Sequence, residues 1–386
     1  MLVPQRPHID AEAELCWIAL TLTPGLGPRR GLRLIEEWPD VREIFHASRK
    51  DLENAGLSGS VAQSIASGCT FDEALLQHER ALSMGCHILP YQHHLYPQQL
   101  RDLPDAPLVL FGLGEASLLN EVNVAVVGTR RPTAYGQAAA YKLSRDLAEL
   151  EVCVVSGMAR GVDTAAHRAA LDVGGKTIAV FGCGVDMVYP AENRDLASEI
   201  ADSGLLLSEF PMGTPAYPQN FPLRNRIVSG LSCGVLVVEG SQYSGSSITA
   251  RLAMEHGREV FAVPGNITSR MSLGPNLLIK QGATLVQNAN DVITQLPSQL
   301  RVQLYRKMHP QDEGPALAAP DSEPAIDPLH RKVLAQLRPD EGRLLDELIE
   351  QIPTMSSSEI ISALFQLEME GYVRQDVGQR YTRIWC

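Results

Sequence analysis

Short apolar runs rich in Val and Ile, separated by helical segments, predict an α/β chain built on a doubly wound parallel sheet of Rossmann-like form. A helical texture before the sheet and another after it add two flanking modules. The chain has 386 residues, too many for one ordinary core, so two or three domains are expected. The expected divisions are an N-terminal helical domain over 1–95, the sheet over 96–300, a linker over 301–326 and a winged helix over 327–386.

The N-terminal segment reads as short helices with turns. "LTLTPGLGPRRGLRLIEEW" places Pro-Gly-Leu-Gly-Pro between two helical patterns, as in a helix-hairpin-helix, with Arg29, Arg30 and Arg33 close by. "GLSGSVAQSI" looks like a degenerate second copy. Both DNA contact and a plain helical bundle with a Gly/Pro turn fit this pattern. The apolar stretch Leu15 to Leu22 follows Asp10, Glu12 and Glu14, where a signal peptide carries basic residues, so it reads as a core helix.

Seven strands are expected in the middle: 122–127, 152–156, 177–181, 205–208, 235–239, 260–263 and 284–287. They show little alternation, as do strands covered by helices on both faces. Gly136 to Leu150 and Thr164 to Val173 read as two of the connecting helices.

"HPQDEGPALAAPDSEP" has the composition of a flexible linker. Beyond it, "LHRKVLAQL" and "RLLDELIEQI" are amphipathic, and Ser356 to Ser358 cap "EIISALFQLEMEGYV". Two strands around Gly378 complete a winged helix. Glu359, Glu368 and Glu370 lie on or near its would-be recognition helix and weaken a DNA-reading role, so protein contact or packing is favoured.

Composition narrows the function. No apolar run approaches the roughly 18 residues of a membrane span. The seven cysteines are scattered and odd in number, with no Cys-x-x-Cys pair. That disfavours metal knuckles and a disulfide framework, and suits a reducing cytosol. A net charge of −12 excludes a chain coated by nucleic acid on all sides, but not a local basic pocket.

Such a pocket is expected where ligands bind in open α/β sheets, beyond the carboxyl ends of the strands. Gly128, Thr129 and Arg130 follow one strand and precede a helix near Tyr135, so helix amides and a guanidinium meet there. Ser156, Gly157 and Arg160 repeat the arrangement after the next strand. Phe221, Arg224, Asn225 and Arg226 combine an aromatic ring with cations and an amide, which suits single-stranded nucleic acid. Which of the two arginines is structural stays open. Ser244, Gly245 and Ser246 offer an anion nest before a helix from about Ile248. Asp163 and His167, four apart, suit either a hydrolase base and acid or an N-cap aspartate with a hydrogen-bonding histidine; the second reading is preferred.

Two nucleotide fingerprints fail. Gly175-Lys176-Thr177 resembles the end of a Walker A loop, but Ala170 stands where the motif needs glycine and a strand follows it. Gly182-Cys183-Gly184 lacks the third glycine of the dinucleotide fingerprint, Met187 standing there.

In order, "VAVVGTRRPTAYG", "VVSGMARGVDTAAH", "TIAVFGCGVDMVYPAEN", "LLSEFP", "FPLRNRIVSGLS", "VVEGSQYSGSSITA" and "VFAVPGN" resemble the DNA processing protein A family, also called DprA or Smf. The resemblance spans roughly Leu108 to Leu296. It implies an extended Rossmann fold, with a sterile-alpha-motif-like helical domain before it and a winged helix after it. It also implies a cytoplasmic homodimer that binds single-stranded DNA without sequence preference, protects the incoming strand and loads RecA recombinase during natural transformation. No catalysis, cofactor, metal or membrane is implied. Arg130 and Phe221 are the first DNA contacts carried over; Gly128, Ser156, Gly157, Arg160, Arg224, Asn225, Ser244, Gly245 and Ser246 follow. Thr129 stands where serine is common in the family and keeps the hydroxyl. The alternative is a nucleoside-monophosphate phosphoribohydrolase on a related sheet. Against it, Ser244 to Thr249 are followed by Ala250, Arg251 and Leu252 rather than paired carboxylates.

Overall fold

A computed structural model describes residues 10–308, 328–337, 342–352, 355–369, 372–376 and 380–383. Residues 309–326 of the expected linker, Glu370, Gly378 and Cys386 lie outside them. The chain divides into two compact units that part between Asp312 and Glu313.

The first unit holds a nine-stranded sheet. Its strands in chain order are β1 (His87–Pro90), β2 (Val109–Gly114), β3 (Asn123–Val127), β4 (Cys153–Ser156), β5 (Thr177–Val180), β6 (Leu205–Ser208), β7 (Gly234–Val237), β8 (Glu259–Ala262) and β9 (Thr284–Leu285). Across the sheet they run β1-β2-β6-β5-β4-β3-β7-β8-β9. From β6 to β9 every pairing is parallel. The pairs β1–β2 and β2–β6 are antiparallel. Every residue of β3 to β7 is buried. That two-faced burial is why these strands read as unbroken apolar runs.

All seven expected strands are present. The two missed are β1 and β2. β1 is four residues long and ends in Pro90, and β2 is interrupted by Gly112 and Gly114. Because β1 belongs to the sheet, the sheet begins before residue 96. Its far boundary also differs from expectation. Residues 301–308, expected in the linker, complete the helix Ser298–Met308, because Leu304 is buried in the core beside Val286 and Val292.

Among the described residues six helices precede β1: Ala11–Leu22, Gly27–Glu37, Val41–His46, Arg49–Asn54, Gly59–Ala66 and Phe71–Ser83. The first carries Trp17, Ile18 and Leu20 into the core, as its apolar stretch predicts. Gly25 and Gly27 have φ of +79° and +62°, the left-handed region that favours glycine, and they form the expected turn.

The second unit is a small winged helix. Helices Pro328–Ala335, Leu345–Gln351 and Ser357–Met369 pack on a three-stranded sheet of Arg343–Leu344, Val373–Asp376 and Arg380–Arg383. Its core includes Val333, Leu348, Ile360 and Leu364. Glu359 accepts from the Ser356 amide at 2.8 Å while Ser356 Oγ accepts from the Glu359 amide at 3.3 Å. Glu359 is therefore half of a capping box.

Candidate nucleic-acid interface

After β3 the chain continues to β4, β5 and β6 on one side, whereas β7 to β9 lie on the other. That reversal opens a crevice at the carboxyl ends of β3 and β7, the place where such sheets bind ligands. A cavity of about 560 Å³ occupies it. Gly128, Thr129, Arg130, Gly157, Phe221, Arg224, Asn225, Ser244, Gly245 and Ser246 all line it. Ten of the twelve expected site residues thus meet in one place.

The loop after β3 is held by its neighbours. Thr129 donates its amide to Glu239 O at 2.7 Å, and Thr129 O accepts from the Val162 amide at 3.2 Å. Gly128 is required because a Cβ there would lie 2.5 Å from Val162 Cγ2. Next in line, Thr133 donates its amide and hydroxyl to the buried Glu239 carboxylate at 2.9 and 2.6 Å. Arg130 is left exposed at the cavity mouth. Its guanidinium lies over the Phe221 ring, 5.6 Å from the centroid.

Phe221 is half-buried in the helix Asn220–Leu231. A second aromatic stands beside it: the Tyr189 and Phe221 rings are 5.5 Å apart at 39°. Tyr189 also lines the cavity and is 46% exposed. Tyr189 is absent from the residues expected at the site, although it lies in the loop after β5 and an aromatic in a strand-end loop is the signal that finds it. Gly182, a near miss to a dinucleotide motif, seats the Phe221 ring, since a Cβ there would lie 2.8 Å from Phe221 Cδ1.

Arg224 behaves differently from Arg130. It is 4% exposed and donates to the carbonyls of Gly157, at 2.6 Å, and Val180. Burial lowers its pKa to about 10, and the nearby Asp163 carboxylate opposes that fall. Arg226 is buried against Glu209. Both arginines are therefore structural, and Arg224 presents a cavity wall already committed to the backbone.

Two expected site residues lie elsewhere. Ser156 is fully buried and donates to Val126 O at 2.7 Å, because it closes β4 from inside the sheet. Arg160 reaches out to Glu192 at 2.6 Å and borders only a small cleft next to the cavity. Asp163 is not the helix cap: Gly161, with φ +78°, holds that position. Instead Asp163 accepts from the Gly157 and Ala159 amides at 3.1 and 3.2 Å, pinning the loop from below. Burial raises its pKa to about 6 against the pull of Arg224. His167 is buried with Nδ1 2.7 Å from Thr177 Oγ1. Thr177 gives its own proton to Val154 O at 2.6 Å, so the histidine donates. Burial lowers the His167 pKa to about 3. Neither group is arranged as a base and acid for a bound substrate.

The fourth loop starts its helix earlier than expected, at Gly245. Ser244 caps it, accepting from the Ser247 amide at 3.3 Å, and its hydroxyl lies 2.8 Å from that of Ser246. The cavity thus joins three kinds of surface: an exposed guanidinium, a helix start lined with hydroxyls and two aromatic rings. Such a surface can hold phosphates and stack bases. Among the described residues no cluster of His, Cys, Asp or Glu is placed to hold a metal, and no helix is long and apolar enough to cross a membrane.

Residues 87–297, more than half the chain, match the family model described as DNA recombination-mediator protein A. Residues 317–379 match the DprA winged helix domain. Protein Smf of Escherichia coli is 39% identical over 288 residues, covering 74% of this chain and 75% of that protein. The DNA processing protein DprA of Bacillus subtilis is 43% identical over 55% of this chain and 72% of its own length. The X-ray structure of DprA from Streptococcus pneumoniae superposes with a TM-score of 0.66 at 35% identity, covering 75% of this chain and 99% of that one. On its fold, its crevice and these matches, the chain belongs to the DNA recombination-mediator protein A family.

Proposed function

We propose that the chain binds single-stranded DNA in the cavity without reading its sequence, and that it does so as a non-catalytic recombination mediator. The observation that carries this reading is Arg130 poised over Phe221 with Tyr189 alongside, at the mouth of the β3–β7 crevice. The guanidinium neutralises a phosphate while the rings accept any base face. Gly245, where a Cβ would stand in open space, lets the backbone approach the strand, Gly128 and Gly157 line the cavity with their loop backbone, and Ser244, Ser246 and Asn225 supply further donors. In the cell the same reading makes the protein a cytoplasmic homodimer that protects incoming strands and loads RecA during natural transformation. The phosphoribohydrolase alternative is not favoured. Asp163 is the only carboxylate among the lining residues, and two amides already occupy it.

Binding of labelled oligo-dT at several salt concentrations tests the proposal. Log affinity is expected to fall linearly with log salt, as counterions leave the phosphates. Affinity should be similar for mixed-sequence strands and weaker for duplex. Salt-independent or absent binding overturns the reading, and release of free base from AMP reinstates the enzyme. For the RecA step, the protein should shorten the lag before RecA begins DNA-dependent ATP hydrolysis on long single strands.

A further inference from the structure

The helix Phe71–Ser83 reaches the loops that wall the cavity through Gln77 and Arg80. Gln77 on this helix is buried and grips the backbone of Met212 from both sides. Met212 donates its amide to Gln77 Oε1 at 2.8 Å, and Gln77 Nε2 donates to Met212 O at 3.2 Å. Three residues on, Arg80 pairs with Asp186 at 2.5 Å. The Asp186 side chain is only 5% exposed, and both its oxygens accept from the Gly213 amide at 2.8 and 3.1 Å. Gly184 donates its amide to Thr214 O at 2.9 Å, tying the two segments together.

One of these segments, 183–190, carries Tyr189. The other, 211–218, carries Ala216 and Pro218 and leads into Phe221. All four residues line the cavity. The loop that carries Tyr189 and the loop that leads into Phe221 are therefore tied to a helix that lies outside the sheet, whereas Arg130 and the Ser244–Ser246 turn are held by the sheet and its own helices. A two-residue clamp at i and i+3 from one helix face fixes both segments at once.

We propose that Gln77 and Arg80 are positioning residues: through Met212 and Asp186 the N-terminal helices set the aromatic wall, and so the base-stacking share of binding, without touching the phosphate share. This rests on the single-stranded DNA reading. Its prediction is a split between two ligands. Removal of the clamp weakens binding to strands that carry bases and leaves binding to a base-free deoxyribose-phosphate strand unchanged.

The experiment titrates full-length protein with oligo-dT and with an abasic strand of equal length, each at several salt concentrations. Wild type is compared with Gln77→Ala, Arg80→Ala, Arg80→Lys and Arg130→Ala. Because stacking is sequence-tolerant but geometry-dependent, Arg80→Ala and Gln77→Ala are expected to lose about three- to tenfold on oligo-dT, with unchanged abasic affinity and unchanged salt slope. Arg80→Lys should restore most of the oligo-dT affinity. Arg130→Ala should weaken both ligands and lower the salt slope. Arg80 is half-exposed, so its variants keep the test valid where Gln77→Ala unfolds. If folded Arg80→Ala binds oligo-dT like wild type, or weakens both ligands equally, the positioning role is overturned. If wild type binds neither ligand, the single-stranded DNA reading itself fails.

Discussion

The loop after β3 and the helix Asn220–Leu231 both send an arginine to the same cavity, and the two arginines meet opposite fates. Arg130 stands exposed, with a ring beneath it and no carboxylate partner among the described residues. Arg224 is sealed in, its guanidinium spent on two carbonyls and facing Asp163. Gly157 has no side chain because that guanidinium fills the space, a Cβ there lying 2.5 Å from it. One region is available to a ligand; the other shapes the wall that the ligand meets. A motif rich in arginine thus says that cations gather at a site, and burial decides which of them can act.

The largest expected effect lies on the sealed side. Arg224→Ala orphans two buried carbonyls and leaves Asp163 without its cation, a loss of about 3–5 kcal/mol by analogy with broken buried pairs. Chemical denaturation should show that drop directly; a stability within 1 kcal/mol or so of wild type would place Arg224 with Arg130 instead.

Next comes the exposed side. Arg130→Ala should cost about ten- to a hundredfold in oligo-dT affinity, the value of one charge-assisted hydrogen bond. Its unfolding midpoint should match wild type. Loss of fold with loss of binding would erase the contrast between the two arginines.

A smaller effect concerns pH and the groups beneath the loops. Asp163 titrates near 6 when folded against an ordinary 3.8, so its share of stability is present at low pH and is lost as pH rises through 4 to 6. His167 titrates near 3 when folded against 6.5, so the unfolded chain takes its proton first and stability falls as pH drops from 6.5 toward 3. The two slopes oppose each other between pH 4 and 6. His167→Asn should therefore gain stability as pH falls through that window, and Asp163→Asn should lose it, each by up to about 1.4 kcal/mol per pH unit. Urea melts at pH 4, 5 and 6 read both signs, and matching slopes in the two variants would refute the assignment.

The smallest effect is expected at the N-terminal hairpin. Arg29 already faces Asp105 at 3.9 Å, and Arg30 donates to Gly25 O at 3.1 Å. Replacing Arg29, Arg30 and Arg33 together with alanine should change oligo-dT affinity by less than about threefold, because solvent-exposed charges are screened. A larger loss would make the hairpin a second binding region and blunt the contrast.

Much of this was legible in the chain. The strand-end loops could be found because a glycine followed by donors after a short apolar run is a local signal. The failed Walker and dinucleotide motifs were equally local. Strands β1 and β2 escaped because a proline and two glycines break their runs, and antiparallel partners supply the pairing. Ser156 was misplaced for a different reason: nothing in its neighbours tells that its hydroxyl turns back to Val126. Tyr189 carried a local signal, an aromatic in a strand-end loop, but its pairing with Phe221 and the Gln77–Met212 clamp were invisible because those partners lie far along the chain.

By itself the sequence determined the layered α/β architecture, the flanking modules and the convergence of glycine-rich loops on one crevice. These follow from period, propensity and turn chemistry, which act over a few residues. Only the tertiary structure decided which arginine is free, which ring joins Phe221 and which helix holds the wall. Those outcomes depend on burial and on distances between segments far apart in the chain, and packing alone sets both.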